Sequence, residues 1–427
     1  MIESLPTIGL LTGSSLCHNP RVLKEATALA RAGYRVQVLG AWLDADLKAR
    51  DEALMPGLPF DFIPVLDVTR QGARETTSRL ARRAGRKVAQ FAHDVAGWQS
   101  PRQLGVTVDP LLREARRHPA DLYIAHSEPG ICVAGELLRQ GWRVGADMED
   151  WFSEDLLPEA RRHRPARLLQ AAEREILRRG VCAFCPSEAM AASLADAYGC
   201  RTPTAIYNAF PWSDRATLDG TALDRRDHAI PSIYWFSTTL GPGRGIEDLL
   251  AALPLMNGEC EVHLRGNPAP GFAAWISAQL SDRWRNRVFL HGLVNNAALL
   301  PRIAEHDIGF AGEQPNSRSR DLTITNKILH CLLGGLAIVA SDTAGQREVA
   351  RQAPEAVLLY RAGDARDLAE KLDALIASPT RREAARRAAL TAARDIFCWE
   401  RQEEKLVAAV TGALGAATAQ TSTAHAP

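Results

Sequence analysis

Residues 325–342 read TNKILHCLLGGLAIVASD. Asn326 to Leu333 carries apolar side chains at helical spacing, Gly334-Gly335 interrupts the run, and Ala337 to Ala340 is a short continuous apolar stretch that suits a buried strand. A helix that feeds through a glycine turn into a fully apolar strand belongs to a parallel sheet with helices on both faces. The start of this helix offers free backbone N–H groups and the positive end of the helix dipole. Lys327 adds a full charge in the first turn, so the segment makes a seat for a diphosphate. An ordinary helix–strand unit with a Schellman-type glycine stop accounts for the same residues.

Moving outward, the strand candidate Ile233–Phe236 is followed by Thr238-Thr239-Leu240-Gly241-Pro242-Gly243-Arg244-Gly245, read as a loop. Gly243 and its neighbours let the backbone come close to a ligand, and the guanidinium of Arg244 forks onto phosphate oxygens. The spacing is not that of a Walker loop, and a tight structural turn is the plainer alternative. Gly266, in Leu264-Arg265-Gly266-Asn267, and His291-Gly292 mark two further strand ends. Other strand candidates are Ile308–Ala311 and Ala356–Leu359, with helices between them. Several glycine-bearing strand ends on one domain point together to a nucleotide-sized ligand.

The N-terminal half repeats the pattern. Thr7–Thr12 is a strand, Gly13-Ser14-Ser15 a loop, and Asn19-Pro20 a cap followed by the first helical position. Val22, Ala26, Leu29 and Ala30 keep helical spacing, Gly33 ends the helix, and Val36–Leu39 is the next strand. Leu122–Ala125, Val144–Ala146, Val181–Cys185 and Thr204–Tyr207 continue the series. The fold class is therefore α/β: two tandem doubly wound parallel-sheet domains, whose ligands belong beyond the carboxyl ends of the strands and in the cleft between domains. Pro211–Asp227 is polar and turn-rich and reads as the linker. Among the strand-end residues, His126 contacts a sugar or assists proton transfer, and Glu128 stands beside it. Asp147, Glu149 and Asp150 end the next strand with three acids that orient an acceptor hydroxyl, and Ser14 lies on the same side. A structural histidine and a solvated acidic strand end are the plainer alternatives. Asp44-Ala45-Asp46 has the form of a metal-binding pair but stands apart from these loops and reads as a surface coincidence.

Composition excludes several classes. The chain has 427 residues, 46 % hydrophobic and 24 % charged, with a net charge of +1, so no global field draws it to nucleic acid. No apolar run reaches the length of a membrane span, and the first residues lack the pattern of a signal peptide, so a cytoplasmic location is expected. The eight cysteines are scattered; Cys182 and Cys185 read as small apolar residues of a buried strand. From Arg70 to Lys87 seven basic residues meet one acid, Glu75, while Leu80, Ala84, Val88, Phe91 and Val95 share one helical face. Such a helix suits peripheral contact with an anionic membrane through 70–91, or else packs on its own domain. The segment from 413 onward, rich in Ala, Thr and Ser, reads as a disordered tail.

Taken together, these motifs resemble those of retaining GT-B glycosyltransferases of family four (glycosyl transferase group 1), over nearly the whole chain. Asn19-Pro20-Arg21-Val22 with Lys24-Glu25-Ala26 looks like the family's opening helix, and Asp121 to His126 like its histidine-bearing strand end. Ser187 and Asn208 match two further strand ends. Gly243-Arg244-Gly245-Ile246 is similar to its donor loop, with arginine for lysine, and Gly335 to Asp342 with Gly345 and Glu348-Val349 to its "G-x-P-V-V-A-S-D-x-G-G-x-x-E-V" stretch. Phe397-Cys398-Trp399-Glu400 resembles the start of the last helix, which crosses back to the N-terminal domain. The resemblance implies an acceptor-side domain over 1–212, with 396–412 packing back on it, and a donor-nucleotide domain over 213–395. It implies a nucleotide-diphosphate sugar as donor, a glycan, glycolipid or other hydroxyl acceptor, retention at the anomeric carbon, no cofactor and no metal. The diphosphate would lie against Arg244 and the backbone from Thr323 through Thr325 and Asn326 to Lys327, with His126 facing the sugar. The chain departs from the family at two glutamate positions, which fall near Leu322 and at His330; the imidazole of His330 offers ribose hydroxyls one donor and one acceptor. A non-catalytic subunit that binds a sugar nucleotide or a partner, and a sugar-nucleotide epimerase, are the alternatives.

Overall fold

The structure, a computed structural model, describes residues 5–70, 72–161, 164–243 and 245–423. The chain divides into two compact units: Met1–Ile206 together with Glu403–Pro427, and Tyr207–Gln402.

The first unit is built on seven strands: β1 (Thr7–Leu11), β2 (Arg35–Trp42), β3 (Asp61–Asp67), β4 (Leu122–Ala125), β5 (Val144–Asp147), β6 (Cys182–Cys185) and β7 (Thr204–Ala205). Their order is β3-β2-β1-β4-β5-β6-β7, and neighbours run parallel throughout. Strands β4 and β5 are buried along their whole length, as apolar runs covered on both faces must be. The order reverses between β1 and β4, which opens a crevice beyond their carboxyl ends. The helix Pro20–Arg31 starts as its sequence dictates: Asn19 accepts from the Val22 N–H at 3.1 Å and Pro20 takes the first position. The sequence reading missed β3. Its residues are mostly half-exposed and include Pro64, the marks of an edge strand whose apolar signal is weak.

The second unit has six strands: β8 (Ser232–Leu240), β9 (Glu261–Pro268), β10 (Val288–His291), β11 (Ile308–Ala311), β12 (Ala337–Ser341) and β13 (Val357–Tyr360), in the order β10-β9-β8-β11-β12-β13, again all parallel. The switch point lies between β8 and β11. One face of this sheet is apolar: Ile233, Trp235, Val262, Leu264, Ile308, Phe310, Ala337 and Val339 pack against the helices. Alternate residues on β8 and β9 are polar or aromatic, namely Tyr234, His263 and Arg265. They meet the segment that carries Asp224 and Arg225.

Three expectations change. Residues 238–240 continue β8 rather than forming a loop, with a register shift between Phe236 and Thr239. Pro211–Asp227 is more than a linker: it includes the 3-10 helix Trp212–Thr217, and Asp224 is buried. Instead of a structureless tail from 413, the last helix runs Trp399–Thr423. Its many alanines favour helix, and Arg143 donates to the carbonyls of Ala413 and Leu414.

The helix Ala73–Ala96 leaves its apolar residues in solvent. Leu80, Val88, Phe91 and Val95 are 60–70 % exposed, alongside exposed Arg83, Arg86 and Lys87. The expected apolar face is therefore not packed on its own domain. The side chains of Arg74, Glu75, Arg79 and Arg82 lie outside the described residues. Among the described residues, no helix is long and apolar enough to cross a membrane.

Candidate functional site

In the second unit the switch point is made of glycine. Gly245 has φ +82°, and a Cβ on it would stand 2.3 Å from the carbonyl oxygen of Gly312, just after β11. Only glycine permits both that conformation and that approach. Gly243 (φ +77°) faces open space, and Gly266 (φ +157°) closes against the Ser237 carbonyl. Arg244 lies outside the described residues.

Beyond β11 the chain forms the short helix Arg318–Leu322 and then Thr323-Ile324-Thr325 before the helix Asn326–Gly334. The Thr323 carbonyl sits where a Cβ on Gly345 would be, at 2.3 Å, so the loop is pressed on the start of the helix Ala344–Gln352. Thr323 donates its hydroxyl to the Ser319 carbonyl at 2.8 Å. Thr325 is the N-cap of the helix Asn326–Gly334 yet makes no capping bond, and its buried Oγ1 has no partner. An uncapped helix start with an unpaired hydroxyl leaves N–H and O–H donors for an anion. Asn326 accepts from Asn208 Nδ2 at 3.1 Å. Lys327 is not a free cation: its Nζ lies 2.5 Å from Glu313 and 5.7 Å from the centre of the Trp235 ring. Glu313, at the end of β11, escaped the sequence reading because no helical or strand periodicity marks it.

His330 is held by aromatic neighbours. Its ring centroid lies 3.5 Å from that of Phe210 and 5.5 Å from that of Phe236, and Nδ1 is 3.0 Å from the Asn326 carbonyl. That contact sets Nδ1 as the donor. Tyr207 donates to the buried Glu348 at 2.8 Å.

In the first unit the loops after β1, β4 and β5 meet. Ser14 Oγ lies 3.2 Å from Thr12 Oγ1, and Ser127 Oγ accepts from the Gly13 N–H at 3.3 Å. Ser127 has φ +60°, the one positive value outside glycine among the described residues. A non-glycine residue there marks a constrained turn, here directly after His126. Glu128 pairs with Arg164, and Glu149 accepts from Asn19 Nδ2 at 2.9 Å. Asp150 is half-buried beside it.

His126 differs from expectation. Its side chain is fully buried, with Nδ1 2.8 Å from Glu149 Oε1 and Nε2 3.4 Å from Glu25 Oε2. Behind it lies a set of charges that the sequence alone does not bring together. Arg21 Nε donates to Asp147 Oδ2 at 2.6 Å and Nη1 to the Ile206 carbonyl at 2.8 Å, and Glu25 Oε1 is 3.1 Å from Nε. All three side chains are buried. Burial acts to raise Asp147, but Arg21 outweighs it and holds the carboxyl below its ordinary range. Burial, reinforced by Asp147, pushes Glu25 well above its range. The signal was available: Glu25 sits beside Ala26 on the inward stripe of an amphipathic helix, and a charge there needs partners.

Asp44 caps the helix Ala45–Leu54, accepting from Asp46 and Leu47 N–H groups. Among the described residues, two groups converge closely enough for a cation, Glu25–His126–Asp147 and Asp224–Glu305–His306.

Residues 231–378 match the family model described as glycosyl transferases group 1. All of the matched residues lie in the second unit. No curated protein matches the chain. Among solved structures, Alr3699/HepE from Anabaena, in complex with UDP, is similar with a TM-score of 0.65 at 16 % identity, over 96 % of this chain and 100 % of that one. A glycosyltransferase from Rickettsia africae gives 0.68 at 12 % identity, over 96 % and 99 %. Sucrose-phosphate synthase from Thermosynechococcus elongatus gives 0.66 at 15 %, over 98 % and 100 %. These likenesses concern the fold, which is GT-B: two parallel-sheet α/β domains with the last helix returning to the first.

Proposed function

We propose that the protein transfers a sugar from a nucleotide-diphosphate sugar to a hydroxyl acceptor, with retention at the anomeric carbon and without a metal. The observation that carries this reading is the uncapped start of the helix Asn326–Gly334, with its unpaired Thr325 hydroxyl, inside a group 1 glycosyltransferase domain. The diphosphate would be held by that helix start, by Lys327 and by Arg244, with Gly243 and Gly266 giving room for close approach. Displacing Glu313 from Lys327, or adding a second anion beside the pair, is the electrostatic event that donor binding brings. His330 would meet a ribose hydroxyl. His126 would face the sugar, and Ser14, Glu128, Glu149 and Asp150 the acceptor.

The acceptor is a glycan or a lipid-linked molecule. The exposed apolar and basic surface of the helix Ala73–Ala96 supports a protein that works on the inner face of an anionic membrane. The complex of Alr3699/HepE with UDP makes uridine nucleotides the first to try.

Thermal denaturation against a panel of nucleotide diphosphates and their sugars tests the donor site, because a ligand of the folded state raises Tm by mass action. One nucleotide is expected to raise Tm, and Arg244→Ala to remove most of the shift, since a charge-assisted pair is lost. A wild-type shift that Arg244→Ala leaves intact would put the phosphate elsewhere. His126→Ala is expected to lower turnover more than donor affinity. Product formation with no acceptor present would instead favour the epimerase.

A further inference from the structure

The groups around His126 form a closed set. Arg21 and Glu25 come from the helix Pro20–Arg31, Asp147 and Glu149 from the end of β5, and His126 from the end of β4. Cys182 of β6 completes it, its thiol pushed up to about 12 by burial and by the nearby Glu25. Glu25, His126 and Asp147 are wholly buried. Neither oxygen of Glu25 accepts a hydrogen bond, and Asp147 Oδ1, His126 Nε2 and Arg21 Nη2 have no hydrogen-bond partner. The three residues nonetheless crowd together: a ligating atom from each of Glu25, His126 and Asp147 lies within 4.8 Å of the others.

Charge counting explains the vacancy of so many acceptors. With every carboxylate ionised, Glu25, Asp147 and Glu149 would set three negative charges against one guanidinium. A buried charge without a partner costs several kcal/mol, and such a group takes a proton instead. Asp147 is fixed as the anion by the 2.6 Å bond from Arg21. Glu149 is partly exposed and receives N–H groups from Asn19 and His126. The Arg21 N–H nearest Glu25, 3.1 Å from Oε1, is given to Asp147, so Glu25 is the one carboxyl without a hydrogen bond of its own. A proton there turns one orphan acceptor into a donor, in reach of the orphan acceptors Asp147 Oδ1 and His126 Nε2.

We infer that Glu25 is a neutral carboxylic acid in the folded protein, its proton shared with Asp147 and His126, and that it acts as the positioning residue behind His126. With Nδ1–H committed to Glu149, a neutral Glu25 leaves His126 uncharged and its Nε2 an acceptor. An ionised Glu25 would instead draw a proton onto the ring and fix an imidazolium between two carboxylates. The part His126 plays in transfer rests on the proposed function; the proton on Glu25 does not.

Glu25→Gln keeps the shape and removes the titration. Above about pH 4.5 the unfolded chain releases this proton while the folded chain keeps it, so the wild type loses stability as pH rises and the variant does not. The Tm of E25Q minus that of the wild type is therefore expected to climb by about 5 °C between pH 5 and 8. A difference that is negative and flat across this range means an ionised Glu25 paired with Arg21, and overturns the inference. In protein labelled with 15N-histidine, the His126 signal, identified by its loss in His126→Gln, should show protonated Nδ1 and bare Nε2 at pH 7, and an imidazolium would overturn it. Zinc at micromolar concentration should leave Tm unchanged; a rise that E25Q abolishes assigns the cluster to a cation instead. None of these readouts needs donor or acceptor, so a failure of the proposed function leaves them standing.

Discussion

Each unit buries a knot of titratable side chains, and the two knots are placed differently. In the first unit Arg21, Glu25, Asp147 and His126 gather beyond the carboxyl ends of β4 and β5. In the second, Asp224, His263, His291 and His306 lie against a sheet face under a covering segment. The pairing differs too. Asp224 accepts from Arg265 at 2.5 Å and lies 3.2 Å from His291 Nδ1, while His291 Nε2 meets His263 Nδ1 at 3.0 Å. The first knot leaves five buried atoms without hydrogen-bond partners, both Glu25 oxygens, Asp147 Oδ1, His126 Nε2 and Arg21 Nη2, where the second leaves one, His306 Nε2. A sheet face lets neighbouring strands supply partners in register, as His291 and Arg265 do. A strand end has only loops to supply them. Incomplete pairing at the ligand-bearing end of the sheet is what a site that handles charge looks like.

The comparison breaks first at Arg21. It is the only cation within bonding distance of Asp147 and Glu25 among the described residues. Arg21→Met should cost about 3–5 kcal/mol, because it strands a buried anion. Urea denaturation measures this. A loss under about 1 kcal/mol would mean that water reaches Asp147 and that the two knots are equally well solvated.

The second knot should fail in acid. Burial first, then the rings of His306 and His291, lowers His263 to about 2; burial lowers His306 to about 4 although Asp224 acts to raise it, and burial also lowers His291. The unfolded chain protonates these rings below about pH 6.5 while the folded chain does not. Stability is therefore complete above pH 6.5 and falls as pH drops toward the folded values, by about 2 kcal/mol per fully buried histidine between pH 6.5 and 5. His306→Asn should flatten that acid limb. A wild type whose urea midpoint is constant from pH 6.5 to 5 would show that the cluster is charged or open.

How much of this was legible in the sequence follows from the same difference. Apolar runs such as Ile338-Val339-Ala340 announce buried strands, and Gly245 and Gly266 announce close approaches, because backbone rules act within a few residues. The half-exposed edge strand β3 gave no such run. The charge knots were invisible for another reason: Glu25 and Asp147 are 122 residues apart, and only the folded sheet brings them together, as it does Lys327 and Glu313, 14 residues apart. His126 was legible as a strand-end residue, but its enclosure by two carboxylates was not.

The smallest expected change in stability is the most discriminating. At a helix N-cap a threonine hydroxyl ordinarily accepts from the second or third N–H of the helix, and removing it costs about 1 kcal/mol. Thr325 makes no such bond, and its Oγ1 is buried with no partner. Thr325→Val keeps the shape and removes only the hydroxyl, so the unfolding free energy should move by less than about 0.5 kcal/mol. Nucleotide affinity should nonetheless fall about tenfold, the worth of one hydrogen bond to a charged phosphate. If stability drops by a full cap's value, the hydroxyl was serving the helix. If affinity is unchanged, the diphosphate is not seated at this helix. Loss of affinity at constant stability is the combination that separates a donor group kept for a ligand from one spent on the fold.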